Sequence, residues 1–116
     1  MIRSLAHAEP FFKVPRFRSK GHLRWIAEHQ CAVPGCYARL VIAHHLTITQ
    51  PKGRGMKSGD DHAVPLCQWV HHDARSPHGV HFVGDERAWW AALGVDPIKL
   101  AAEYWERSPF WVDLAA

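Results

Sequence analysis

Between Cys67 and His81 the chain reads CQWVHHDARSPHGVH, one thiol and four imidazoles within fifteen residues. Donors of this softness at this density signal a metal site. Residues so close in sequence cannot by themselves surround two ions, so other segments must contribute. The upstream candidates are Cys31, Cys36 and the adjacent pair His44 and His45. These three segments are expected to meet and to form two different sites.

The first site follows from ligand chemistry. Cys31, Cys36 and Cys67 supply three thiolates, and one imidazole completes a closed tetrahedron of the structural zinc type. His71 is the expected fourth ligand, because Cys67-x3-His71 brings two donors onto one side at the start of a helix. His72 then points elsewhere and belongs with the remaining histidines: His44 or His45, and His78 or His81.

The elements that must position these residues can be read in outline. An extended arm with Pro10 and Pro15 leads to Ser19, a natural N-cap, and His22, Leu23, Trp25, Ile26 and His29 recur at helical spacing up to Gln30. This helix should turn Leu23 and Ile26 inward and leave Lys20 and Arg24 outside. Pro34 and Gly35 make a turn between the first two cysteines, a C-x4-C knuckle. Ala38 to His45 reads as a strand with Leu40, Val41 and Ile42 as its buried part. The polar, glycine-rich stretch from Leu46 to Asp61 reads as a surface loop. His62 to Cys67 reads as a second short strand, held to a sheet edge or end by Pro65. A short helix should start near His71 and His72 and be interrupted or end around Ser76 to Gly79. Asp85 should cap a helix that stops at Gly94, and Asp96-Pro97 should open another through Leu100, Tyr104 and Trp105. Trp89, Trp90, Trp105 and Trp111 fall at helical spacing and are expected in the core.

Composition bounds the rest. With 116 residues, 47% hydrophobic and 22% charged, the chain is expected to form one globular domain. Its parts are a basic arm and helix (1–30), a knuckle and metal core (31–83), and C-terminal helices (84–116). Net charge is only +3, but Lys13, Arg16, Arg18, Lys20 and Arg24 run without an intervening acid. Lys52, Arg54 and Lys57 form a second basic cluster. Both suit a polyanion such as nucleic acid, and Arg16, Arg18, Lys20 and Lys57 are the expected phosphate contacts. Three cysteines cannot all pair within the chain, the start lacks the apolar core of a signal peptide, and no apolar run nears the roughly 20 residues that cross a bilayer. A cytoplasmic protein with no membrane contact is the expectation.

A strand ending in paired histidines, a loop, a second strand and a helix bearing further histidines is the ββα-metal arrangement. The combination of AHH, PLC, HH and VH resembles the HNH endonucleases, and the second half, PLCQWVHHDARSPHGVHFVGDERAWW with LGVDPIKLAAEYW, is most similar to small phage and prophage members. The resemblance covers most of the chain from Cys31 onward. It implies an α+β fold with a ββα-metal (His-Me finger) core, a structural zinc knuckle and flanking helices. It also implies hydrolysis of DNA phosphodiesters, with phage or host recombination proteins as further partners. The first histidine of the pair, His44, would bind a divalent catalytic metal (Zn2+, Mg2+, Mn2+ or Ni2+) with His72 and His81. The second, His45, would be the general base. Strand geometry agrees, since adjacent side chains leave a strand on opposite faces. His81 is preferred to His78 because VH before GDERAWW is the matching position. Many relatives leave only two residues between the cysteine and its next ligand, so His71 and His72 could exchange roles. The asparagine common at the middle of the motif is absent from the whole chain. Asp60 is its expected substitute, as a partner of His45, with Asp61 and His62 as rivals. The alternative is a non-catalytic, zinc-stabilised nucleic-acid-binding module.

Overall fold

The computed structural model describes residues 17–48 and 58–110. Arg16 and Lys57, two of the expected phosphate contacts, lie outside the described residues, as do Lys52, Arg54 and Trp111.

Helix α1 (Lys20–Ala27) begins where Ser19 accepts a hydrogen bond from the His22 amide. Its inward face carries Ile26 and, one turn earlier, His22, both fully buried, while Lys20 and Arg24 are exposed. Leu23, expected inside, is only half-buried; His22 occupies the place expected for it. The helix also ends short of Gln30. The His29 ring takes the Trp25 carbonyl at 2.7 Å, and the Glu28 amide reaches that same carbonyl in a tightened last turn.

Gly35 turns the knuckle with φ 82°, a left-handed conformation that glycine adopts without a Cβ penalty. Strand β1 (Val41–His45) then pairs antiparallel with β2 (Ala63–Cys67), His44 opposite Val64 and His45 opposite Ala63. The strand was expected to start at Ala38 with Leu40 buried. It starts at Val41, and Leu40 is 52% exposed, because Val41 faces the last residue of β2 and the partner chain then turns away. All five residues of β2 are buried, Pro65 among them. The Pro65 carbonyl accepts from the Ala32 amide at 2.8 Å, which sews the knuckle to the sheet.

The loop between the strands is not simply a polar surface. It leaves through Leu46 and returns through Ser58, both fully buried, and the Ser58 hydroxyl donates to the Leu46 carbonyl. A 3₁₀ turn at Asp60–His62 leads into β2.

The helix expected to start near His71 and His72 instead ends there, and a second short helix follows the break expected around Ser76 to Gly79. Gln68–His72 form one π turn, closed by the Asp73 amide on the Gln68 carbonyl at 3.0 Å. Helix α2 (Val80–Val83) follows a tight reversal at Gly79, where a Cβ would come within 2.6 Å of the Asp73 carbonyl oxygen. Helix α3 (Glu86–Leu93) is capped by Asp85 and ends at Gly94, φ 70°. Helix α4 (Pro97–Arg107) is capped by Asp96, which accepts from the Ile98 and Lys99 amides. Both caps and both starts agree with the sequence reading.

The result is an α+β arrangement in which helices pack on a two-stranded antiparallel sheet. Leu46, Val64, Leu66, Val80, Trp89, Trp90 and Ala101 form its core with Cys31 and Cys67. Each fully buried Leu or Ile contributes about 1.5–3 kcal/mol. Trp89 and Trp90 belong to that core as expected, and Trp105 is half-buried against Phe17 and His22. No helix among the described residues is long and apolar enough to cross a membrane.

Candidate metal and acid–base site

The knuckle, the end of β2 and the π turn bring Cys31, Cys36, Cys67 and His71 together, their donor atoms all within 4.8 Å of one another. His71 Nδ1 lies 3.6 Å from Cys31 Sγ and 3.1 Å from Cys67 Sγ. Zinc bonds of about 2.3 Å to sulfur and about 2.0 Å to nitrogen, set tetrahedrally, require a sulfur–nitrogen separation of about 3.5 Å. The residues therefore fit a zinc-sized ion. Burial, with the Cys36 and Cys67 thiols nearby, pushes the Cys31 thiol up to about 12. A thiol so raised becomes a thiolate only against a cation.

The second group is His44, His72 and His81, whose donor atoms also lie within 4.8 Å of one another. His72 Nε2 and His81 Nε2 are 3.3 Å apart, which matches the roughly 3.3 Å between two nitrogens on one tetrahedral zinc. Burial, and then repulsion from His44 and His81, pushes His72 down to about 4. It is neutral at physiological pH, as a ligand must be. His44 is buried and His81 exposed, so the cluster opens to solvent on one side. The π turn separates the two neighbours, His71 joining the thiols and His72 the imidazoles. His78 is exposed and joins neither group; its carbonyl accepts from Trp89 Nε1 at 3.1 Å.

Strand β1 aims its two terminal imidazoles at different carboxylates. His44 Nε2 is 2.8 Å from Glu86 Oε2, and His45 Nε2 is 2.7 Å from Asp60 Oδ1. Asp60 is buried and would on that account be harder to ionise. Hydrogen bonds from His45 and from the Ser19 amide, with the charges of His45 and Arg18, outweigh burial and hold it below the usual carboxylate range. An ionised carboxylate only accepts, so Nε2 of His45 carries a proton and donates it, and in the neutral ring the lone pair is on Nδ1. The expected rivals do not take this position: Asp61 faces His62 at 3.6 Å.

No family model, curated protein or solved structure matches this chain.

One residue that sequence reasoning missed matters here, and one that it named has a further contact. Glu86 accepts from Trp90 Nε1 at 2.8 Å, from the Thr47 amide at 2.9 Å and from Thr47 Oγ1 at 2.6 Å, as well as meeting His44. Burial pushes its carboxyl up, but these donors and His44 together bring it to about 2. Its only sequence signal is an acid in the first turn of a helix, where the dipole alone would explain it. Arg18, expected on phosphate, donates through Nη1 to the Ser58 carbonyl at 2.7 Å and to Asp60 at 3.2 Å, with 49% of its side chain exposed. It braces the acid–base pair. Lys20 stands exposed on α1.

Proposed function

We propose that the chain is a metal-dependent endonuclease that hydrolyses DNA phosphodiesters, built on the ββα-metal plan of the HNH enzymes. The observation that carries this reading is the 2.7 Å contact between His45 and Asp60, on the residue beside a member of the imidazole cluster. A structural zinc needs no such pair.

In this reading His44, His72 and His81 hold a divalent cation, which supplies positive charge beside a phosphate oxygen and the departing 3′ oxygen. Three imidazoles suit Zn2+ or Ni2+ better than Mg2+. Asp60 fixes the His45 tautomer, and Nδ1 of His45 takes the proton from the attacking water. Cys31, Cys36, Cys67 and His71 hold a separate structural zinc. Lys20 contacts backbone phosphate, with Arg16 and Lys57 as further contacts and Arg18 divided between phosphate and Asp60.

A non-catalytic DNA-binding module would explain the thiol cluster equally well, yet it gives no task to His45 and Asp60. The deciding experiment is nicking of supercoiled plasmid by the purified chain, with and without divalent metal, beside His45→Ala. Metal-dependent nicking that disappears in the variant supports the nuclease; DNA binding without nicking under any metal overturns it.

A further inference from the structure

Among the described residues, Glu86 is the buried carboxylate that meets a member of the imidazole cluster, and nothing in the reaction above uses it. Its surroundings are unusually one-sided. The Thr47 amide and hydroxyl both donate to Oε1; Trp90 Nε1 donates to Oε2, and His44 Nε2 meets that same oxygen. An indole N–H and a backbone amide can only donate, so both oxygens of Glu86 are required as acceptors. The acid is thereby held from two sides, by the residue three beyond His44 along the chain and by the next turn of α3.

We propose that Glu86 is the positioning residue of the imidazole site: it fixes His44 as the Nε2–H tautomer, so that the Nδ1 lone pair is the one presented toward His72 and His81. This rests on the metal site proposed above. A carboxylate behind a ligating imidazole orients the ring and makes it a stronger donor. The arrangement also joins β1 to α3 at the ligand itself, so the helix that buries Trp89 and Trp90 in the core sets the angle of His44.

The role is specific to a carboxylate. In Glu86→Gln one of the two oxygens becomes an NH2 group, which cannot accept. If that group faces Oε2's partners, the His44 ring must move its proton to Nδ1 to receive it, which removes the lone pair from the metal side. If it faces Thr47, the amide there loses its acceptor and the β1–α3 tie loosens. Either outcome weakens the site.

The test uses the full chain with one equivalent of Zn2+ to occupy the thiol cluster, followed by titration with Co2+ read by absorption. Nitrogen chemical shifts of His44 are recorded before Co2+ is added. Wild type should show the Nε2–H tautomer. Glu86→Gln should keep the thiol-bound zinc and lose roughly 10- to 100-fold in Co2+ affinity, with His44 shifted toward Nδ1–H to the extent that the new NH2 group faces it. Thr47→Val removes a single hydrogen bond to Oε1 and should lose about 3- to 10-fold; it decides the question if Glu86→Gln does not fold. Wild-type Co2+ affinity in either folded variant, or the Nδ1–H tautomer of His44 in wild type, overturns the assignment of Glu86. If wild type binds no Co2+ beyond the thiol cluster, the metal site itself is wrong, and the tautomer comparison still judges Glu86 separately.

Discussion

His45 and Asp60 stand fifteen positions apart in sequence and are joined at 2.7 Å from Nε2 to Oδ1. The acid is fastened at its other oxygen by the Ser19 amide at 2.7 Å, so the start of α1 holds the residue that holds the His45 ring.

From this arrangement His45→Ala should retain both metals and DNA affinity while losing about 10²- to 10⁴-fold in cleavage rate. His44→Ala should lose the second metal instead. Metal content, DNA affinity and nicking rate measured side by side separate the two; equal metal loss in both would show that the pair ligates together.

Asp60→Asn probes the tether. The amide oxygen can still accept from His45, but the NH2 group then faces the Ser19 amide, two donors against each other. Cleavage should fall roughly 10- to 100-fold with metal content intact. Full activity would mean that the charge and second contact of Asp60 are irrelevant to the base.

Removing the thiol cluster should act on the fold. Structural zinc contributes on the order of 10 kcal/mol in peptide systems, so Cys36→Ser should unfold or severely destabilise the chain. An unchanged melting curve with one zinc still tightly bound would remove the assignment.

Acid should destabilise the zinc-loaded protein in a defined window. His22 is fully buried, its Nδ1 meets Ser108 Oγ at 2.8 Å, its Nε2 has no hydrogen-bond partner among the described residues, and burial lowers its proton affinity. His72 is held at about 4. Folded values below the unfolded value of about 6.5 mean that the unfolded chain binds more protons as pH falls. The contribution of these rings is complete above about 6.5 and is lost as pH drops toward 4, while ligation demands the same unprotonated nitrogens. Melting temperature should be level above pH 7 and decline through that window, less steeply in His22→Gln; a curve level down to pH 4 would contradict it.

Phosphate contact and bracing can be distinguished by salt. Lys20→Ala should reduce the slope of log affinity against log salt by about 0.9 and leave melting unchanged. Arg18→Ala should lower melting and cleavage as well, since it removes the brace on Asp60 and Ser58. An unaltered slope in Lys20→Ala would mark it as merely solvated.

The site was more legible in the sequence than the packing around it. Cysteine and histidine announce themselves by residue type, so the groups Cys31, Cys36, Cys67, His71 and His44, His72, His81 could be put forward before any coordinates, with an exchange of His71 for His72 and of His81 for His78 left open; the same two groups lie together in space. The caps at Asp85 and Asp96 were equally plain, because capping is decided within four residues. What failed depended on distant partners. Leu40 belongs to an apolar run but outlasts the strand opposite it. Leu46 and Ser58 sit in a polar stretch yet close a buried junction. Glu86 resembles any acid at a helix start until α3 is seen against β1, and His22 gave no hint that it, not Leu23, would fill the interior.

The pairing of β1 with β2 gives the two histidines a form of insurance. A slip of one residue would put His45 where His44 belongs and would appear to cost only a shuffle of similar rings. It would also turn every other side chain of β1 to the wrong face, moving Val41 and Ala43 as well. Misassembly at the site is thus linked to misassembly of the interior. A chain that has buried its strands in the right order has, by that act, already decided which imidazole faces Glu86 and which faces Asp60.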